Sequence, residues 1–144
     1  MPIQCMPIQS TDYSSFRKLE VWQDAIELVT EVYRGTEKFP AHERYGLTSQ
    51  MRRAALSVPS NIAEGYGRET IGEYLNQLSV ARGSLNEVET LCLVCLRLKI
   101  GDSNVINQLS EHVVILQKRL TRLRSRLAEK RKRPGGRIPP GPRP

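Results

Sequence analysis

Aromatic side chains are scarce in this sequence: two Phe, one Trp and five Tyr amount to 6% of 144 residues. Strands of a β-sandwich favour aromatic and β-branched side chains, so the scarcity argues against that architecture. The core must instead consist mainly of Leu, Val, Ile and Ala, which favours an all-helical fold. The length suits a single domain that can bury such a core without further support.

Long apolar runs are also absent. No stretch of about 18 apolar residues occurs, so no membrane-spanning helix is predicted. The first 15 residues have neither a cationic start nor an apolar run, and they do not resemble a signal peptide. Three cysteines, Cys5, Cys92 and Cys95, are too few for a disulfide framework. We therefore expect a cytoplasmic protein with reduced thiols and no membrane partner.

Motifs of catalysis are missing or incomplete. His42-Glu43 begins a zinc-protease motif, but Gly46 stands where the second histidine belongs. The glycines of segment 65–67 begin a dinucleotide loop, but Thr70 replaces the third glycine and no predicted strand precedes the segment. No nucleophile elbow, phosphate-binding loop or carboxylate pair is present. We predict a protein that is not an enzyme, without cofactor or small-molecule substrate.

Cys92 and Cys95 have C-x-x-C spacing, which can form a redox pair or half of a zinc site. No second cysteine pair exists, and His42 and His112 lack the spacing of metal ligands. Both cysteines lie on the apolar side of a predicted helix. We therefore interpret them as core residues and predict no metal site.

Apolar residues recur at intervals of three and four over four segments, which indicates amphipathic helices. The stripes of the first two helices are Leu19, Trp22, Ile26, Val29 and Tyr33, and then Met51, Ala54, Ala55, Val58, Ile62 and Ala63. The third stripe is Ile71, Tyr74, Leu78, Ala81, Leu85, Val88, Cys92 and Cys95, and the fourth is Ile106, Leu109, Val113, Leu116, Leu120, Leu123 and Leu127.

Turn residues separate these segments. Thr70 and Glu73 form a capping-box pattern at the start of the third helix, and Gly101 marks the next stop. Pro59 lies inside the second helix, so we expect a kink or a short break there. Short connections place consecutive helices side by side in opposite directions. The sequence therefore predicts an all-α, antiparallel up-down four-helix bundle.

The domain limits follow from composition. Residues 1–15 contain the tetrad MPIQ twice and are predicted to form a disordered leader. Residues 16–129 are predicted to form the bundle. Residues 130–144 are predicted to form a disordered, basic Pro/Gly-rich tail.

Charge is distributed unevenly along the chain. Residues 1–117 hold 11 basic and 14 acidic residues, a net charge of −3, whereas residues 118–144 hold 11 basic residues and one acid, a net charge of +10. On the fourth helix the basic residues form a stripe beside the apolar one, which is typical of a surface that binds phosphates. The candidate nucleic-acid-binding residues are Lys118, Arg119, Arg122, Arg126, Lys130, Arg131, Lys132 and Arg133.

Two interpretations of this stripe remain open. Glu20, Asp24, Glu27 and Glu31 form an acidic stripe on the first helix, which in an up-down bundle lies beside the second half of the fourth. The acidic and basic stripes can form ion pairs within one subunit or across a subunit interface. The basic tail would then remain unpaired, and it would either contact a polyanion or only increase solubility. No aromatic residue interrupts the basic stripe, so stacking on single-stranded bases is not supported.

Several strings resemble a known bacterial family. They are FRKLEVWQDA at 16–25, FP at 39–40, ERYGLTSQ at 43–50, RRAA at 52–55, SVPSNIAEGYGR at 57–68 and ARGS at 81–84, with Glu87 and Glu89 after it. Over about four-fifths of the chain, residues 16 to about 127, the sequence is similar to the four-helix bundle proteins encoded in intervening sequences of large-subunit ribosomal RNA genes.

The resemblance implies a homopentameric ring and a partner that is RNA or a ribonucleoprotein. We therefore expect a non-catalytic, oligomeric bundle that contacts RNA through its basic C-terminal end. One alternative is a protein-interaction scaffold without nucleic-acid binding. Another is an accessory protein of a retroelement reverse transcriptase, because a distantly similar pentameric bundle has that role.

Polar residues of the family strings lie near the apolar faces of the second and third helices. Polar groups at a helix–helix contact must be hydrogen-bonded, since an unpaired one costs about 1–3 kcal/mol. We therefore predict a polar network that joins these helices or two subunits, with a ligand or RNA site as the alternative. Its candidate members are Arg53, Asn61, Glu64, Arg82, Ser84 and Glu87.

Overall fold

The computed structural model describes residues 15–133. Four helices make up this part of the chain: α1 Glu20–Thr36, α2 Leu47–Tyr66, α3 Ile71–Leu98 and α4 Ser103–Lys132. Short 3-10 turns at Phe16–Lys18 and Ala41–Glu43 precede α1 and α2, and residues 15–133 contain no strand. Each helix packs against its two neighbours, α1 against α2 and α4, and α3 against α2 and α4. The predicted all-α four-helix bundle is confirmed.

Local signals set the start of α3 and α4. The Thr70 side chain accepts a hydrogen bond from the Glu73 amide while the Glu73 side chain accepts one from the Thr70 amide, which is the predicted capping box. Asp102 caps α4 by accepting from two amides of its first turn. Before it, Gly101 adopts φ 81°, and a Cβ there would lie 2.5 Å from the Phe39 ring. A glycine is therefore needed for both its backbone angle and its lack of a side chain.

Pro59 does not interrupt α2, which runs unbroken from Leu47 to Tyr66. The predicted break is therefore absent. Neighbouring side chains bond to the backbone of this region: the Ser60 hydroxyl donates to the Leu56 carbonyl at 2.9 Å, and the Asn61 amide donates to the Ser57 carbonyl at 2.7 Å. The proline ring itself is buried, so packing offsets part of the cost of its missing amide hydrogen.

The predicted apolar stripes of α3 and α4 form the centre of the core. Every residue of the α3 stripe is buried, and on α4 only Leu123 is half-buried. The buried members of α4 are Ile106, Leu109, Val113, Leu116, Leu120 and Leu127. On α2, Ala63 is half-buried and the other five predicted residues are buried.

The prediction for α1 is only partly confirmed, because the buried face is rotated by about one-quarter of a turn from the predicted one. The residues that enter the core are Val21, Ala25, Leu28 and Val32, together with Thr36. Of the predicted stripe, Ile26 is 40% exposed and Tyr33 is 39% exposed, while Trp22 and Val29 are half-buried. Both sets follow the same 3–4 spacing. Leu19, Trp22 and Val29 of the predicted stripe pack against the edge of the core, whereas Ile26 and Tyr33 face outward.

The limits of the helices differ slightly from expectation. α4 continues to Lys132, three residues into the predicted tail, since Lys and Arg are good helix formers and suit a helix C-terminus. The rest of that tail, and the leader apart from Ser15, lie outside the described residues.

Candidate functional site

The basic stripe lies on the outer side of the second half of α4. Lys118, Arg122, Arg126 and Lys130 are exposed, and none of them forms an ion pair within residues 15–133. The same holds for Arg131, Lys132 and Arg133 at the end of the helix. Lys130, Arg131 and Lys132 occupy the last turn, where cations interact favourably with the helix dipole. Seven of the eight candidate residues therefore remain free to meet an external anion.

Arg119 is the exception in this stripe. Its guanidinium lies 3.3 Å from a carboxylate oxygen of Asp24 on α1, so the acidic and basic stripes meet within one chain at this point. The Arg119 side chain is 47% exposed, which limits the contribution of such a pair to about 0–1 kcal/mol. Glu20 and Glu27 are exposed and form no ion pair among the described residues.

A histidine that the sequence did not single out lies between two carboxylates of α1. The His112 Nδ1 is 2.7 Å from Glu31 Oε2, and its Nε2 is 2.8 Å from Asp24 Oδ1. Both nitrogens can donate only when the imidazole is protonated. Partial burial lowers the pKa of His112, but the hydrogen bonds and negative charges of Glu31 and Asp24 outweigh burial and raise the pKa above 6.5. The geometry therefore favours an imidazolium that joins α1 to α4.

Two more arginines of α4 contact α3. The Arg124 Nη2 donates to the Ser79 hydroxyl at 2.9 Å, while its buried Nε has no hydrogen-bond partner. The Arg131 guanidinium lies against Gly72, so that a Cβ at Gly72 would be 3.2 Å from an Arg131 nitrogen. These contacts hold the C-terminal part of α4 on the bundle.

The polar contact between α2 and α3 is smaller than predicted. The Ser84 hydroxyl of α3 donates to the Ser57 hydroxyl at 2.8 Å, and the Asn61 amide donates to the same oxygen at 2.9 Å. Ser84 is buried, so this pairing satisfies a group that would otherwise destabilise the contact. Two predicted members, Asn61 and Ser84, thus meet through Ser57, a residue that the prediction did not include.

The other four predicted members do not join this contact. Glu64 pairs with Arg68 one turn along α2, at 2.9 Å and in an exposed position. Arg53, Arg82 and Glu87 are exposed and have no ion pair or hydrogen bond within residues 15–133. A role for them between subunits stays a prediction.

The cysteine pair lies in the core, as predicted. Cys92 and Cys95 are 1% and 0% exposed and carry free thiols. Burial raises the pKa of the Cys92 thiol to about 12, and burial also raises the pKa of Cys95. Neither thiol is therefore activated as a nucleophile. Between residues 15 and 133 no group of three or more His, Cys, Asp or Glu side chains is placed to hold a metal ion.

None of the helices in the described part of the chain is both long and apolar enough to cross a bilayer.

The helix order, the short connections and the α4 basic surface define a four-helix bundle protein with a candidate polyanion-binding end. A family model described as the 23S rRNA-intervening sequence protein matches residues 17–122. The chain belongs to this family. No match was found among curated proteins.

A solved crystal structure shares the fold. It is a protein of unknown function from the S23 ribosomal protein family of Bacteroides thetaiotaomicron. The two structures align with a TM-score of 0.65 over 72% of this chain and 97% of the other, at 17% sequence identity. At that identity the similarity supports the bundle fold alone.

Proposed function

We propose that this protein is a non-catalytic, oligomeric bundle that associates with RNA or a ribonucleoprotein through the basic C-terminal end of α4. One observation carries the proposal: seven exposed basic side chains between Lys118 and Arg133 have no ion-pair partner within residues 15–133. Glu129 is the single acid in that stretch. Binding to a polyanion would release counterions from the phosphates and so favour association.

Helix stability alone does not account for the basic stripe. The favourable interaction of cations with a helix C-terminus is confined to the last turn, which holds Lys130, Arg131 and Lys132. Arg122 and Arg126 lie one to three turns earlier, spaced four apart on one face, and repel each other unless an anion lies between them. This arrangement favours a phosphate backbone as the partner.

The family description supports RNA as that anion, because it connects the relatives with 23S ribosomal RNA. The structure offers the α4 surface for backbone contacts and no aromatic side chain within it, so we infer binding to structured RNA by shape and charge rather than by base stacking. Such a partner implies a cytoplasmic location.

The test is RNA affinity as a function of salt. For the unchanged chain, the logarithm of the association constant for a structured RNA should fall linearly with the logarithm of salt concentration. The triple variant Arg122→Gln, Arg126→Gln and Lys130→Gln should bind at least about tenfold more weakly at low salt and with a shallower slope.

The matched control for charge is the triple variant Arg34→Gln, Lys38→Gln and Arg97→Gln, whose residues are exposed and lie near the C-terminal ends of α1 and α3, away from the second half of α4. It should bind RNA with nearly the original salt slope. Absent binding by the unchanged chain, salt-independent binding, or an equal loss in both triple variants would contradict the proposal.

A second candidate function is that of a self-assembling interaction scaffold, and the outer apolar face of α1 favours it. Ile26 is 40% exposed, and Trp22 and Val29 on the same side of α1 are half-buried. Large apolar groups that share a face outside the core are typical of protein contact surfaces. Asp24 is already paired to Arg119 within the chain, so an apolar contact fits a subunit interface better than the acidic stripe does.

Mass measurement tests this assembly. We expect native mass spectrometry to give five times the chain mass of 16.3 kDa, and Ile26→Asp to release monomers because it places a charge in an apolar contact. Leu98→Asp, at a position 60% exposed near the end of α3, should leave the mass unchanged. A monomeric unchanged chain, or an Ile26→Asp variant of full mass, would exclude the scaffold.

A further inference from the structure

A pocket lies at the opposite end of the bundle from the C-terminus of α4. It has a volume of about 420 Å³ and is lined by Tyr33, Arg44, Tyr45, Arg52, Arg53 and Leu56, among others. Arg44 and Tyr45 belong to the connection between the end of α1 and the start of α2. Because Arg119 pairs with Asp24 near the start of α1, the basic end of α4 is at the other end of α1. The two positive regions are therefore separate.

The charge of this pocket is unbalanced. Three guanidinium groups line it, and no carboxylate lies within ion-pair distance of Arg44, Arg52 or Arg53 among residues 15–133. Like charges gathered around one opening repel each other, and that repulsion is relieved when an anion enters. A phosphate monoester carries up to two negative charges and suits the planar fork of arginine better than a single carboxylate does.

Arg52 is held in position by α1. Its Nε donates to the Thr36 hydroxyl at 2.9 Å, and its Nη2 reaches the Tyr33 carbonyl at 3.4 Å. The guanidinium also stacks on the Tyr33 ring, 4.5 Å from the ring centre. A guanidinium has five N–H donors. The Nη1 group and one Nη2 hydrogen therefore remain without a partner, on a side chain whose rotamer is already fixed.

An exposed aromatic ring lies beside these donors. Tyr45 is 87% exposed, and the Arg44 guanidinium lies 5.6 Å from its ring centre. Aromatic rings next to basic groups form the combination that binds single nucleotides, because a base stacks on the ring while its phosphate contacts the cations. The sequence did not show this combination, because Tyr33, Arg44 and Arg52 come from three different segments.

We propose that this pocket binds one nucleotide unit, with its phosphate on Arg52 and Arg53 and its base on Tyr45. The unit can come from a free nucleotide or from the end of a single-stranded RNA, and both sources present the same phosphate and base. The site is separate from the α4 surface and does not depend on it.

The experiment is calorimetric titration of the full chain with four probes: uridine 5′-monophosphate, uridine, inorganic phosphate and an eight-nucleotide uridine RNA carrying a 5′-phosphate. The monophosphate should bind at one site per chain, and uridine and phosphate at least about tenfold more weakly, since each lacks one half of the contacts. Similar affinity for the RNA and the monophosphate identifies a free nucleotide as the ligand. Affinity for the RNA that is more than tenfold higher, and stays so in the α4 triple variant at positions 122, 126 and 130, identifies a strand end.

Variants locate the site. The pair Arg44→Gln and Arg53→Gln should weaken monophosphate binding about tenfold or more, and Tyr45→Ala about tenfold, since these side chains are exposed or at the surface and the fold does not need them. The pair Arg82→Gln and Arg97→Gln removes the same charge elsewhere on exposed positions and should bind normally.

Several results would overturn the inference. They are the absence of saturable monophosphate binding, equal binding of inorganic phosphate, and an equal loss in both paired variants. A fall in oligomer mass for Arg44→Gln with Arg53→Gln would assign the pocket to a subunit contact and overturn it too. The α4 triple variant at positions 122, 126 and 130 should bind the monophosphate normally, so failure of the RNA proposal and failure of this one give different results.

Discussion

The imidazole of His112 on α4 lies 2.8 Å from the carboxylate of Asp24 on α1 and 2.7 Å from that of Glu31, about two turns further along α1. In the protonated form each ring nitrogen donates to one carboxylate. In the neutral form one nitrogen loses its proton, and one carboxylate is left facing an acceptor. The polar part of the contact between α1 and α4 therefore depends mainly on the charge of His112, with Arg119 as the other cation near Asp24.

This relationship predicts a pH-dependent stability. The folded-state pKa of His112 is raised above the unfolded value of 6.5, so its contribution is fully present below about pH 6.5 and is lost as the pH rises through the folded pKa. We expect His112→Gln to lower the free energy of unfolding by about 1–3 kcal/mol at pH 6 and by less at pH 9. Urea denaturation at the two pH values measures this difference. His42→Gln, an exposed position, should leave both values unchanged, and an equal cost of His112→Gln at both would contradict the prediction.

We expect the substitution of glycine by alanine to have opposite effects on stability at Gly65 and Gly83. At Gly65 on α2 a Cβ would lie 2.8 Å from the Tyr74 ring and 2.9 Å from Gln77 Cβ, so Gly65→Ala should cost about 1–3 kcal/mol. At Gly83 on α3 no atom lies within 4 Å, so Gly83→Ala should stabilise the helix by about 0.5–1 kcal/mol. Thermal unfolding should therefore show a lower Tm for the first variant and a higher Tm for the second. Shifts of the same sign would contradict the packing described at Gly65.

Because the two thiols are buried, we expect them to react slowly with disulfide reagents in the folded chain. With Cys5 replaced by Ser, the remaining cysteines are Cys92 and Cys95, both buried, and the pKa of Cys92 is raised to about 12. A disulfide reagent at pH 8 should therefore label the folded chain only as fast as the core opens, and label the chain in guanidinium within seconds. Rapid labelling of both thiols in the folded chain would show that the region around them is open in solution.

A buried hydroxyl predicts a stabilising substitution. The Tyr74 hydroxyl is buried and has no hydrogen-bond partner in the described part of the chain, and burial raises the pKa of Tyr74 to about 12. Tyr74→Phe removes this hydroxyl, which loses its hydrogen bonds to water on folding and gains none in return. We therefore expect the free energy of unfolding to rise by about 1 kcal/mol. Tyr45→Phe, at an 87% exposed position, should change little. A loss on Tyr74→Phe would mean that an ordered water satisfies this hydroxyl.

The fold could be predicted where one face of a helix is apolar and the others are polar. The α4 stripe from Ile106 to Leu127 is flanked mainly by polar and charged residues, so its 3–4 spacing allowed one orientation. On α1 the spacing allowed two, because Ala25 and Leu28 on one face and Trp22 and Ile26 on another both satisfy it. Ala25 is fully buried, whereas Trp22 packs at the edge of the core. Only the packing of neighbouring helices decides between such faces.

The candidate sites were harder to predict because their members are distant in sequence. His112 meets residues that are 81 and 88 positions away, and its spacing to His42 gave no indication of this. The pocket at Arg52 combines three segments in the same way. The basic stripe on α4 was predictable because it lies within one helix, where spacing alone determines which residues share a face. Ser57 was missed since nothing in the sequence shows that it faces Ser84.

The lengths of α1 and α4 have a consequence for the order in which the bundle opens. Asp24 and Arg119 form an ion pair, so they lie at about the same height along the bundle. From this height α1 extends four residues back to its first residue, Glu20, whereas α4 extends thirteen residues forward to its last residue, Lys132. About nine residues of α4, or roughly 13 Å at 1.5 Å per residue, therefore extend beyond the start of α1. Leu127 is the last buried side chain in this overhang. The amide hydrogens of the final turns of α4 should exchange with solvent faster than those of the rest of the helix. A ligand that binds these turns should therefore slow the exchange of residues 128–132 first.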